Sequence, residues 1–333
     1  MRKIYTLVTL LVFIVSTVSA QQDAMFTKYM FNSLVYNPAY AGAKDHMAIG
    51  LLHRTQWWGI DGAPQTQSLT MHTPLKNNRV GVGFSAFNDV IGPTQSIGAN
   101  LSYAYRIPIG KGKLSIGVQA GALNWRADWS KLSLADGQID EAFAEEQPSF
   151  WLPNFGAGVY YYTKHFYAGF SVPHLLEHDL RDKEEINTAI YAKQYRHYYI
   201  ATGAAIPLRG DALIFKPSVL IKTVGLFSAL NKDEEFQQVG SPTEFDIDLS
   251  FLFYQTFWIG SSFRSAVEAF NDTSSFDSVD IWASYYLMNG LRIGAAYDYT
   301  LTKLQQPAQG SFEVMLGYEF NYRTRKTVTP RYF

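Results

Sequence analysis

Segments of about ten residues in which apolar side chains alternate with small or polar ones recur along most of this chain, and that period of two constrains the fold more than any other feature. In LSIGVQAGAL, Leu114, Ile116, Val118, Ala120 and Ala122 share one face, while Ser115, Gly117, Gln119 and Gly121 share the other. FEVMLGYEF repeats the pattern, with Phe312, Val314, Leu316, Tyr318 and Phe320 opposed to Glu313, Met315, Gly317 and Glu319. Successive side chains of a strand point to opposite faces, so each segment has one apolar and one polar surface. The segments begin near His46, Thr66, Arg79, Gln95, Lys113, Asn154, His165, Arg196, Ala212, Glu244, Thr256, Phe276, Leu291 and Ser311. Their length suits the roughly 9–11 residues with which a tilted strand crosses a bilayer. The expected fold is all-β: a single transmembrane antiparallel up-and-down β-barrel of about 14 strands, with a short N-terminal plug segment. The segments at His46 and Thr66 alternate weakly, which keeps twelve and sixteen strands as alternative counts.

The connections alternate in length. PLKNN, IPIGKG, TK, IPLRGD, YQ and MNG are short, whereas Trp58 to Ala63, Arg126 to Leu152, Pro173 to Gln194, Gly225 to Pro242 and Ala266 to Ser275 are longer. Outer-membrane barrels show this asymmetry, with short periplasmic turns and long outer loops, and it predicts both termini in the periplasm.

Charges test the pattern, because an Arg or Lys on the lipid face at mid-membrane costs roughly 2–4 kcal/mol. Arg106 is opposite in parity to Leu101, Tyr103 and Tyr105; Lys216 and Lys222 oppose Phe215, Val219 and Ile221; Asp246 and Asp248 oppose Phe245, Ile247 and Leu249. Arg264, Arg292 and Asp298 obey the same rule. The expected lumen wall therefore carries these residues together with Arg54, Gln56, Glu313 and Glu319. Lys216/Lys222 are expected to pair with Asp246/Asp248 on neighbouring strands, and Arg292/Asp298 with Glu313/Glu319. A soluble sandwich also alternates, but its inner face has no need of charge and its outer face is not Leu, Ile, Val and Phe.

With 22 Tyr, 23 Phe and 7 Trp, the chain has the aromatic supply for rings at two water boundaries, and Trp57 or Trp58 at the end of the first segment is expected in the outer interfacial belt. Cysteine is absent, so stability must come without disulfides. The formal charge of −1, with scattered basic residues, gives no footprint for nucleic acid. Residues 1–20 read as a cleaved signal peptide: Arg2 and Lys3, an apolar run, then a small-residue exit at Val18-Ser19-Ala20.

Next comes an uncharged aromatic stretch, FNSLVYNPAYAG, which needs burial. Asp23 is expected to cap a short helix in which Phe26, Met30 and Leu34 share a face, ending before Pro38. Residues 21–43 are read as a plug entering the barrel from below, with Tyr29, Phe31, Tyr36, Asn37 and Tyr40 as further contacts; the alternative is an unstructured leader. Asn37-Pro38 would turn the chain, and Tyr40-Ala41-Gly42 would lead into the first strand. The barrel proper is expected over residues 44–322, followed by a periplasmic tail, 323–333.

Catalysis finds little support. His53, His72, Asp89 and Asp61 are the residues from which a rim hydrolase would be built, but no nucleophile elbow or H-E-x-x-H occurs and the seven histidines are dispersed. His174 and His178 have i,i+4 spacing without a third ligand, so neither a metal nor any other cofactor is expected.

FTKYMFNSLVYNPAYAG, HRTQWWGIDGAPQTQSLTMHTPL, GVGFSAFNDVIGPT, LSYAYRIPI and KLSIGVQAG, in this order over residues 26 to about 121, resemble the PorP/SprF family. The resemblance implies a non-enzymatic outer-membrane barrel of the type IX secretion system. It further implies a partner role in export and surface attachment of a large secreted protein, such as a gliding-motility adhesin, through that cargo's C-terminal sorting domain. Other partners it implies are secretion components, including periplasmic peptidoglycan-binding or lipoprotein subunits, and outer-membrane lipid. The alternative reading is a channel for a hydrophobic small molecule, of the fatty-acid-transporter kind.

Overall fold

The computed structural model describes residues 28–75, 78–131, 148–179, 193–224, 243–267, 275–302 and 308–320. The expected signal peptide, Asp23, Phe26 and the C-terminal tail lie outside the described residues. Fourteen strands close into one antiparallel barrel: β1 (Ala48–Thr55), β2 (Gln65–Pro74), β3 (Val80–Ile91), β4 (Thr94–Ile109), β5 (Gly112–Ala127), β6 (Ser149–Tyr162), β7 (Phe166–Val172), β8 (His197–Ala204), β9 (Leu213–Val224), β10 (Thr243–Phe253), β11 (Phe257–Val267), β12 (Ser275–Tyr286), β13 (Leu291–Thr300) and β14 (Ser311–Glu319). Each strand pairs with its sequence neighbours, and β1 closes on β14 from Ala48↔Glu319 to Thr55↔Phe312. A two-residue strand, Ile206–Pro207, adds to β9, and His178–Asp179 pairs antiparallel with Lys193–Gln194.

The parity of the sequence is the parity of the wall. Ser115, Gly117 and Gln119 are buried inward, while Ile116 and Val118 are exposed outward. Leu101, Phe155 and Ile281 are likewise exposed on the outer surface, at 68%, 55% and 60%, where hydrocarbon rather than water is the compatible solvent. Among the described residues no helix is long and apolar enough to cross a membrane. β6 begins at Ser149, five residues before the expected Asn154, because its outer end continues pairing with β5 as far as Arg126↔Ser149. The short turns take the backbone a tight hairpin demands: Tyr254 and Gln255 both have positive φ, at 48° and 57°.

The N-terminal segment is not one helix. A 3₁₀ turn at Tyr29–Phe31, the helix Ser33–Tyr36 (α1) and a second 3₁₀ turn at Pro38–Tyr40 succeed one another. Asn32, at φ −131°, breaks the first from the second, so Met30 and Leu34 do not share a face. Met30 packs in a cluster with Trp258 and Trp282, Leu34 in another with Ala39 and Ala104. Nor does Tyr40-Ala41-Gly42 feed β1 directly; turns over residues 41–47 intervene.

Candidate functional site: the plugged lumen

Residues 28–47 occupy the lumen, running from mid-barrel at Lys28 to the rim of the short turns. Lys28 is fully buried: its ammonium donates to Ser262 Oγ and Asp280 Oδ1, both at 2.5 Å, and its amide donates to Glu313 Oε1 at 3.1 Å. Tyr29 donates its hydroxyl to Ser218 at 2.7 Å, and Asn32 its amide to Ser68 at 2.9 Å. Phe31 meets Trp258 and Trp282 edge-on at 4.8 and 5.2 Å, with the Arg292 guanidinium 4.3 Å above its ring. Tyr36 tilts against Tyr199 at 5.1 Å, and its carbonyl accepts from Ser171 Oγ. Each large side chain removed from water here contributes on the order of 1.5–3 kcal/mol.

Asn37, restricted to extended backbone by the following Pro38, performs two tasks at the bend. Its Oδ1 accepts from the Ala39 amide at 2.9 Å, capping the second 3₁₀ turn, and its Nδ2 donates to the Val159 carbonyl of β6 at 3.0 Å. Beyond it, Ser115 donates to the Ala39 carbonyl at 2.6 Å, Gly42 donates to His72 Nδ1 at 3.2 Å, and Arg106 donates to the carbonyls of Gly42 and Val80. Tyr40 stands edge-on to both His72 and Tyr160. The segment thus bonds to strands all round the barrel.

Glycines on the inner parity make the sockets for this chain. A Cβ on Gly117 would lie 2.5 Å from the Pro38 carbonyl carbon and overlap the Ala39 amide; one on Gly81 would lie 2.7 Å from the Ala41 carbonyl carbon. Gly158 faces Asn37, and Gly83 faces both methyls of Leu34 at 3.0 Å. Backbone of the plug therefore rests on backbone of the wall, a close approach that only glycine permits. These glycines carry no charge or ring to draw notice in the sequence; their signal is their recurrence on the inward parity.

The lumen charges are buried, and the ion pairs seen among them follow the strand register. Asp246 pairs with Arg264, directly opposite it on β11, at 2.8 Å. Asp248 accepts from Ser262 and Trp282, both at 2.7 Å, and lies 3.8 Å from Lys28. Lys216 stands 3.4 Å from the Trp258 ring centroid, and Lys222 is 3.8 Å from Glu244. On the last strands Arg54 bridges Asp298 at 2.7 Å and Glu313 at 3.4 Å, while Arg292 covers Phe31 and Tyr286. Register explains these pairs: Asp246 faces Leu220 across β9 but Arg264 across β11, and Arg54 faces Glu313. Gln56 is half-buried at the long-loop rim, its backbone N–H donating to the Pro64 carbonyl.

At the opposite rim Glu319 takes both Lys44 and His46, the latter at 3.0 Å. Burial disfavours the Lys44 ammonium, but the Glu319 carboxylate outweighs it and holds the lysine above its ordinary value. At the long-loop rim Trp57 and Trp58 sit in a loop tied to residues 309–310: Trp58 donates its amide to Gly310 and accepts from Gln309. Trp58 is 54% exposed and packs edge-on to Phe312.

The four residues considered for hydrolysis are dispersed. His53 faces outward, His72 binds the plug, Asp89 accepts from Thr66 at 2.5 Å and Asp61 is exposed in the first loop. His178 contacts the Pro153 carbonyl. Among the described residues no three His, Cys, Asp or Glu side chains are grouped to hold a metal ion.

Residues 18–318 match the family described as type IX secretion system membrane protein PorP/SprF. The chain belongs to the PorP/SprF family. As such it is an outer-membrane β-barrel of type IX secretion, which accounts for the apolar exterior. Solved barrels resemble this PorP/SprF protein distantly. A Pseudomonas aeruginosa FadL homologue is 12% identical, with 92% of this chain and 96% of that one covered and a TM-score of 0.48. Acinetobacter baumannii Omp33 is 10% identical, with 84% and 100% covered and a TM-score of 0.42. The KdgM porin is 10% identical, with 82% and 99% covered and a TM-score of 0.38. No curated protein matches the PorP/SprF sequence.

Proposed function

We propose that this PorP/SprF protein is a sealed, non-catalytic barrel that helps export a large secreted surface protein, such as a gliding adhesin, and holds it at the cell surface through its C-terminal sorting domain. The short-turn rim and both termini face the periplasm, where secretion subunits dock, and the long loops face outward. The observation that supports this reading best is the lumen, filled by residues 28–47 resting on wall glycines and anchored by Lys28. A protein-handling partner needs a closed pore more than a nutrient channel does. The rival, a channel for hydrophobic small molecules, requires an apolar path, whereas the described lumen is crossed by the ion pairs of Lys28, Arg54 and Arg264.

Affinity isolation from native outer membranes tests the partner role: a large surface protein and secretion components should co-purify, and their consistent absence would sink it. Orientation is tested separately. Because the chain has no cysteine, an Asp61→Cys variant carries a single thiol, which an impermeant maleimide should label on intact cells.

A further inference from the structure

The outer wall at the long-loop rim is of two kinds. On one side it carries rows of rings, as barrel exteriors do at a membrane boundary. Phe245, Phe263 and Phe276 on β10 to β12 have successive centroids 6.2 and 5.6 Å apart, and Tyr297, Phe312 and Trp58 have theirs 4.9 and 5.1 Å apart. Over β1 to β5 this belt is interrupted by a chain of polar side chains on the outward parity. Arg126 Nε donates to Gln95 Oε1 at 2.9 Å, and a terminal guanidinium nitrogen donates to the same oxygen. Gln95 Nε2 donates to Asn88 Oδ1 and Asn88 Nδ2 to Gln67 Oε1, each at 2.5 Å; Gln67 Nε2 meets His53 Nδ1 and His53 Nε2 meets Thr55 Oγ1, each at 3.2 Å.

A guanidinium only donates, so Arg126 fixes the sense of the whole chain. Every amide turns its oxygen toward Arg126 and its nitrogen toward β1, and His53 accepts at Nδ1 and donates from Nε2. The chain is an oriented array of amide dipoles, with a cation at one end and no carboxylate in it. Against hydrocarbon such a strip would be costly. A protein interface would centre on an apolar anchor, which the chain lacks. Phosphate and sugar hydroxyls suit it: an exposed Arg with donors to spare takes the anion, and amides take hydroxyls as donors or acceptors.

We infer that this strip is a lateral site for the headgroup of a phosphorylated glycolipid, with Arg126 on the phosphate and Gln95, Asn88 and Gln67 on the sugar. Placement in the outer leaflet rests on the orientation proposed above, which Asp61→Cys labelling decides independently of any lipid measurement. The test is native mass spectrometry of the full folded chain in detergent. The probes are a bis-phosphorylated acyl-disaccharide, its dephosphorylated form and phosphatidylglycerol.

The wild type should retain the phosphorylated glycolipid about tenfold better than either control, the scale of one charge-assisted hydrogen bond. Arg126→Gln and Gln95→Glu, which remove and neutralise the cation on an exposed surface, should each abolish that preference without changing heat-modifiability. Equal retention of all three lipids, preference for phosphatidylglycerol, or indifference to both variants would overturn the inference. So would a copy-to-copy complex disrupted by Arg126→Gln without change in lipid retention.

Discussion

Gly117→Ala separates the plug from the wall, because the two should respond with opposite sign. For the wall alone, alanine in a strand interior is better than glycine by roughly 0.5–1 kcal/mol. For the docked plug, the added methyl would sit 2.5 Å from the Pro38 carbonyl carbon, where both sides are backbone and neither can rotate away. Overpacking of this sort costs about 1–3 kcal/mol, and the displaced Ala39 carbonyl would also lose its bond from Ser115, worth about 1 kcal/mol. Docking therefore weakens by about 2–4 kcal/mol, or roughly 30- to several-hundred-fold in the docked population. Planar-bilayer conductance should rise, and trypsin should gain access to the Lys28 bond, while the barrel keeps its heat-modifiable mobility. Gly81→Ala should behave similarly. Gly158→Ala, which meets the Asn37 side chain, should have a smaller effect. A folded Gly117→Ala barrel with wild-type conductance and a protected Lys28 would refute the reasoning.

Lys28→Met should destabilise the plugged state by about 3–5 kcal/mol, since it strands Asp280 in the lumen; adding Asp280→Asn should recover much of that loss, as read by urea unfolding in detergent. Deleting Gln22 to Tyr36 should raise conductance and weaken cargo retention; unchanged conductance would assign the seal to loops or partners instead. At the rim, the raised value of Lys44 means that its pairing with Glu319 stabilises the plug fully below the unfolded lysine value of about 10.4 and is lost only as pH rises through the higher folded value. The contribution of Lys44 to stability, read as the difference between wild type and Lys44→Met in urea unfolding in detergent, should accordingly hold through neutral pH and fade only in strong alkali; fading already near neutrality would contradict the pairing.

Facing was legible in the sequence because lipid punishes charge: Arg106, Lys216 and Asp248 had to point inward, which set the parity of their strands. The weak alternation near His46 and Thr66 has a cause in the exterior strip. His53 and Gln67 are polar on the outward parity, so β1 and β2 carry polar side chains on both faces at one end. Which ion meets which was not legible, since parity assigns a side chain to the lumen but register decides its neighbour: Arg54 meets Glu313 directly opposite it and reaches one strand further to Asp298. The plug's aromatics marked it for burial. The i,i+4 spacing of Met30 and Leu34 does not make one helix, because the backbone breaks at Asn32, whose side chain bonds to Ser68 of the wall.

The seam between β1 and β14 is where this barrel joins the two ends of its sheet, and the plug precedes β1 directly while bonding to β14. Lys28 holds Glu313 by its backbone, and Lys44 and His46 hold Glu319, so the segment that continues into β1 is itself bonded along β14. Any sideways parting of the wall at that join must first tear this fastening. Strand pairing and the internal clasp therefore act in parallel at that join, and the segment that fills the lumen also holds the ring shut.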